Sequence, residues 1–226
     1  MEKGKLIVLE GCGDGIGKST QLALLRDRLL YDGYEIYSHH FPSYGTYQAK
    51  PVEEYLYCKY GATEELSPYF INALYALDRA VTWYTELKEQ YEQGKTILLD
   101  RYTTSSLIYQ AALYKSYSDR RRFINYVLDY EYNKLGIQEP DMTLFLMAPW
   151  GLLNELRRKR AANDGIENDI HERNQEFLKK VYDNSMFMSE YLDWDTIKCN
   201  NNDQMRSIDS INDEIYTLVK KKMTKH

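Results

Sequence analysis

The chain has 226 residues, 28% charged and 43% hydrophobic, the balance of an ordinary globular protein of one or two domains rather than a disordered one. Its net charge of −5 argues against a nucleic-acid-binding surface. Three cysteines, Cys12, Cys58 and Cys199, are odd in number and far apart, which excludes a disulfide framework and fits a reduced, cytoplasmic setting.

The first element is a strand, "KLIVLE" (5–10), whose apolar run is too short for a signal peptide or a membrane span. The segment after it, "GCGDGIGKST", approximates the phosphate-binding pattern G-x-x-x-x-G-K-[ST] with one residue too many, placed at Cys12-Gly13. Strand, glycine-rich turn and helix in that order aim several backbone N–H groups and a helix N-terminus at one anion. Gly13, Gly15, Ile16 and Gly17 form the cradle, Lys18 reaches the β- and γ-phosphates, and the Ser19 hydroxyl holds Mg²⁺. Gly13 is expected to absorb the extra residue by adopting a positive φ. Cys12 reads as a tolerated small side chain rather than a redox switch.

A helix follows over Ser19–Leu30, with Leu22, Leu25 and Leu29 at helical spacing, and then a strand at 34–38. "HHFPSYG" (39–45) breaks the strand end, and Phe41 and Pro42 offer one wall of an acceptor pocket. The most strongly marked helix starts at Ser67-Pro68, continues through Phe70, Leu74, Leu77, Val81, Leu87 and Tyr91, and stops at Gly94. Tyr75 and Arg79 share one face of it, an aromatic ring beside a guanidinium, suited to stack on a flat heterocycle and bond its exocyclic oxygen. The next strand, "TILLD" (96–100), ends in Asp100-Arg101. Ligands bind at the carboxyl ends of strands in open α/β sheets, so this pair should face the phosphate loop. Asp100 suits Mg²⁺-bound water or a sugar hydroxyl, and Arg101 suits a second phosphate. Further strands lie at 143–147 and 196–199, and the polar stretch Arg157–Asn174 between them reads as a mobile lid. The alternation implies an α/β fold: a five-stranded parallel sheet flanked by helices on both faces, one domain over 1–226 with a short lid at about 157–174.

"EGCGDGIGKSTQ", "FPSYG", "LYALDR", "LDRYTTSS" and "DIHERN" occur in the order and spacing of thymidylate kinases, and the resemblance spans nearly the whole chain. It implies a P-loop nucleoside-monophosphate-kinase fold that uses ATP and Mg²⁺ to phosphorylate dTMP to dTDP, in a cytoplasmic homodimer. It makes Lys18, Ser19 and Thr20 the ATP-phosphate and Mg²⁺ ligands, and places Asp14 near the acceptor sugar and phosphate. Arg101 resembles the arginine that holds the dTMP phosphate, with Asp100 beside it in the metal-water network. Tyr75 stands where the family stacks a ring on thymine, and Arg79 where it directs an arginine at the thymine carbonyl. Ser105 and Ser106 fall where base-reading side chains come from, and Tyr109 where a tyrosine disfavours a ribose 2′-hydroxyl. Asp169 and Glu172 match the family's lid carboxylates, with capping of the following helix as the other reading. Some members carry a catalytic arginine inside the phosphate loop. That position here is Gly15, so the resemblance turns to the lid, to Arg160 first and Arg157 second.

Two rival readings share the phosphate loop. A deoxynucleoside kinase accepts an uncharged nucleoside, so Arg101 would have no acceptor phosphate to hold. A nucleotide-binding regulator, its loop spoiled by the extra residue, would bind ATP without releasing ADP.

Overall fold

The computed structural model describes residues 3–164 and 174–224, the side chains of 160–164 excepted. In chain order the elements are β1 (Leu6–Gly11), α1 (Lys18–Tyr31), β2 (Ile36–His40), α2 (Lys50–Leu56), α3 (Pro68–Thr82), α4 (Lys88–Glu92), β3 (Thr96–Asp100) and α5 (Thr103–Tyr109). Then come α6 (Tyr117–Leu128), β4 (Met142–Met147), α7 (Trp150–Asp164), α8 (Gln175–Tyr191), β5 (Asp195–Lys198), a two-strand ribbon β6 (Asn200–Asn201) and β7 (Gln204–Met205), and α9 (Ile208–Met223). β1 to β5 form one parallel sheet in the order β2-β3-β1-β4-β5, as the alternation of runs implies.

The sheet is covered on both faces because its central strands are apolar on both sides. Leu6, Val8, Ile97 and Leu99 pack with Trp83, Leu87 and Tyr91. Ile7, Leu9 and Leu98 belong to the larger cluster with Leu22, Leu25 and Leu29 of α1 and Ile215 and Val219 of α9. Side chains alternate along a strand, so each central strand feeds both layers.

Three elements depart from the sequence expectation. β2 begins two residues later than 34–38, because Tyr34 closes the end of α1 by donating its N–H to Leu29 O after Gly33 turns at φ +87°. The helix from Pro68 does run to a stop at Gly94 (φ +89°), but its middle, Trp83–Leu87, is wound as a π-helix. Its buried face is mixed: Asn72, Asp78, Arg79 and Thr82 point inward beside Ile71 and Ala76, while Phe70 and Leu77 remain exposed. Finally, the first part of the polar stretch is no break, since α7 runs unbroken from Trp150 to Asp164. Asn174 caps α8 by accepting from Phe177 N at 2.9 Å, the capping task considered for Asp169 and Glu172.

Candidate active site

The carboxyl ends of β1 and β3 lie side by side, with Leu9 in register with Asp100. That register brings the two motifs together. The phosphate loop leaves β1 and enters α1 through Gly17, whose φ of +97° a side chain would strain. Gly15 also has a positive φ, +84°. Gly13 does not. Its absent side chain serves close packing instead, since a Cβ there would lie 2.8 Å from Leu153 Cδ2 of α7. The extra residue is thus accommodated by contact with α7 rather than by a left-handed turn. Ile16 is buried and packs across Gly11. Cys12 is buried too, its thiol within sulfur hydrogen-bond range of both backbone atoms of Ala148, and burial pushes its pKa up to about 11. So high a value leaves almost no thiolate, which fits a packing residue.

Lys18 is buried at the start of α1, its Nζ 3.3 Å from Gly13 O and 3.6 Å from Asp14 Oδ1. Ser19 and Thr20 stand exposed beside it, where the first helical N–H groups have no intrahelical acceptor. Ser19 Oγ donates to Asp100 Oδ2 at 2.7 Å, and His40 Nδ1 approaches the same oxygen at 3.4 Å. Burial alone would raise the Asp100 pKa, but His40, Lys18, Arg101 and Ser19 outweigh it and hold the carboxyl at about 2. Asp100 Oδ1 is buried without a hydrogen-bond partner, an orphaned anionic oxygen next to a hydroxyl. That is a donor set a Mg²⁺ ion or its water would satisfy. No group of three or more His, Cys, Asp or Glu that could hold a metal occurs among the described residues, so most of the ion's oxygens would have to come from phosphate and water.

Arg101, itself at φ +68°, sits between two carboxylates. Its Nη2 pairs closely with Asp14, and its Nη1 lies 3.5 Å from Glu10 Oε1. Burial would lower its pKa, yet Asp14 and then Tyr109, Glu10 and Asp100 hold it well above the usual value. Tyr109 OH donates to the other Asp14 oxygen at 3.1 Å. Asp14 therefore joins Lys18, Arg101 and Tyr109 in one cluster. Ser105 belongs to this end as well: its hydroxyl donates to Glu10 Oε2 at 2.6 Å, which sets it with Arg101 rather than with Ser106.

A second cluster lies deeper. Arg79 Nη2 donates to Ser106 Oγ at 2.9 Å, and its Nη1 lies 3.5 Å from Tyr102 O. Tyr75, one turn earlier on α3, is half-buried with its ring edge-on to Tyr55. Phe41 packs in the core against the rings of His39 and Tyr102, and the backbone N–H of Ser43, next to Pro42, donates to Asp78 on α3 at 2.9 Å. That bond fixes the Phe41-Pro42 wall to the helix carrying Tyr75 and Arg79.

A family model described as "Thymidylate kinase" matches residues 9–215. The chain belongs to the thymidylate kinase family. A thymidylate kinase from Thermoanaerobacter sp. (strain X514) is 33% identical over 179 residues, 79% of this chain and 80% of that one. A probable thymidylate kinase from Caldivirga maquilingensis is 26% identical over 212 residues, 92% of this chain and 90% of that one. A solved thymidylate kinase from Candida albicans shares the fold at a TM-score of 0.72, with 22% identity, 98% of this chain and 93% of that one covered.

As a member of the thymidylate kinase family the chain is an enzyme, a kinase among the transferases. Two site residues were missed in the sequence. Glu10, next to last in β1, is fully buried, accepting from Thr104, Ser105 and the Gly11 N–H as well as facing Arg101. A charged residue closing an apolar strand run is the signal that picked out Asp100, and it applied equally to Glu10. Glu131 accepts from Arg79 Nε and Nη2, both at 2.6 Å, across 52 residues of sequence, and no local pattern marks it. Of the lid residues, Arg157 lies against Gly15, its Cγ 3.6 Å from where a Cβ there would stand, and its guanidinium covers the Trp150 ring at 4.6 Å. The Arg160 side chain, and Asp169 and Glu172 entirely, fall outside the described residues.

Proposed function

We propose that this chain transfers the γ-phosphoryl group of ATP in line to the 5′-phosphate of dTMP, giving dTDP and ADP. The observation that carries the reading is the Asp14–Arg101 cluster at the mouth of the phosphate loop, a guanidinium presented toward the anion that Lys18 and the loop amides receive. Arg101 grips the acceptor phosphate, which must compete with Asp14 for Nη2. Once displaced, Asp14 is free to accept from the acceptor sugar, with Tyr109 crowding the 2′ position. Tyr75 stacks on the base, and Arg79 and Ser106 read its edge. Ser19 and Asp100 would hold Mg²⁺, which would supply neutralisation of charge on the donor phosphates. The charge of the transferring group is met by an arginine of α7. Arg157, placed against Gly15, supports that part of the reading more directly than Arg160. Phe70 and Leu77, exposed on α3, support a homodimer.

Arg101 already has two carboxylates for company, so its burial alone does not separate a nucleotide acceptor from a nucleoside. The assay must do so. ADP release is followed with dTMP, dUMP, dCMP, the thymine ribonucleotide and thymidine as acceptors. The expected order places dTMP first, with dUMP slower but real, because a methyl group in an apolar pocket discriminates by only ~1–3 kcal/mol. Faster turnover of thymidine than of dTMP would identify a nucleoside kinase, and ATP binding without ADP release would identify a regulator.

A further inference from the structure

Arg79 and Glu131 are both fully buried, 2% and 0% exposed. Their contact is a parallel fork: Nε to Oε2 and Nη2 to Oε1. The carboxylate takes a third bond from Thr103 Oγ1 at 2.8 Å. With Nε, one hydrogen of Nη2 and the Ser106 bond assigned, the plane and rotation of the guanidinium are fixed. The end left for a ligand is Nη1, whose 3.5 Å contact with Tyr102 O is at the limit of a hydrogen bond. Glu131 reaches this position from the π-helical segment Asp129–Lys134 that extends α6, and it is the inward charged residue of that segment. Tyr84, from the π-helical stretch after α3, ties the two wide turns together by donating to Leu135 O at 2.8 Å.

A guanidinium can only donate. Clamped in place and unable to swing away, it accepts a ring carbonyl at the base's 4-position and opposes a ring amino group there, donor against donor. Without the carboxylate, the same guanidinium would be a buried cation with no fixed aim. We infer that Glu131 is a specificity-determining positioning residue: it holds Arg79 as a rigid donor, so that 4-oxo pyrimidine nucleotides are accepted and 4-amino ones refused. The inference rests on the proposed reading of Arg79 as the base contact.

The test measures dissociation constants of dTMP and dCMP by calorimetry, and kcat and KM for dTMP and ATP, in Glu131→Gln, Thr103→Val and Arg79→Gln, with thermal melts for each. Glu131→Gln should weaken dTMP at least about ten-fold, narrow the dTMP/dCMP binding ratio by a similar factor, and leave KM for ATP and kcat within about three-fold. Thr103→Val removes one bond to the carboxylate with the charges still paired, and should weaken dTMP about three-fold; it decides the matter if Glu131→Gln does not fold. A lowered melting temperature with an unchanged dTMP/dCMP ratio, in either variant, overturns the inference and leaves a structural clamp between α3 and α6. If Arg79→Gln itself leaves the ratio unchanged, the base-contact reading fails and takes the inference with it.

Discussion

Asp100 meets both Ser19 and His40 at the phosphate end, and its ionisation is set by neighbours rather than by exposure. Its neighbours His40, Lys18, Arg101 and Ser19 favour the charged form strongly enough to overcome burial. The folded value of about 2 lies below the ordinary value of 3.8, so the ionised carboxylate stabilises the fold fully above about pH 4. That stabilisation, about 2 kcal/mol, is lost as pH falls from about 4 through about 2. Asp100→Asn should therefore flatten the dependence of unfolding free energy on pH within that window. Denaturant titrations of both proteins at pH 2, 3 and 4 measure it, and parallel curves for the two would refute the electrostatic account. Across the range used for kinase assays the carboxylate stays ionised, so it contributes no acidic limb to the rate profile.

At the level of elements, the unusual phosphate loop and α7 explain each other. The loop is one residue longer than the common pattern, and it is held by packing of Gly13 on Leu153 and of Gly15 on Arg157, both from α7. Along two of its glycines the loop leans on α7, so that Leu153 and Arg157 fill the space beside it that side chains of its own would take. Charge stabilisation of a transferring phosphoryl group by arginine is worth about 10³–10⁵ in rate, too much for a kinase to lack. Arg157→Ala is therefore expected to lower kcat at least about 10²-fold while the KM values for ATP and dTMP change less than about three-fold. Steady-state kinetics of Arg157→Ala beside Arg160→Ala checks the assignment. A loss confined to the second variant would return the role to Arg160, and no loss in either would remove α7 from the chemistry.

For the molecule as a whole, the sequence was most legible where one run of residues determines the outcome. Five apolar runs became five parallel strands, and G-K-S-T and L-D-R, picked out in the sequence as two parts of a candidate site, lie side by side at the strand ends, because strand burial and loop chemistry are local. The strand order, the inward pairing of Glu131 with Arg79 and the winding of the two π-helical turns depend on partners far along the chain. The helix from Pro68 shows why periodicity misleads: Phe70 and Leu77 of its apolar repeat lie on the outer face and Leu87 and Tyr91 in the core, while Asn72, Asp78, Arg79 and Thr82 point inward. Phe70 and Leu77 remain 42% and 48% exposed, with Tyr84 at 55% on the same helical run. Large apolar side chains repeated along one outward helix face are the signature of a surface meant to be covered, and the proposed homodimer would cover it with the same stripe from a second copy. Sedimentation of the protein should give a dimer of the 26.8 kDa chain, and Leu77→Glu, which sets a charge in the middle of that stripe, should give the monomer. Melting temperature should rise with protein concentration in the wild type and stay flat in the variant. A wild-type chain that sediments as a monomer at about 100 µM, or a Leu77→Glu variant that still pairs, would place the contact elsewhere and leave this face to a different partner.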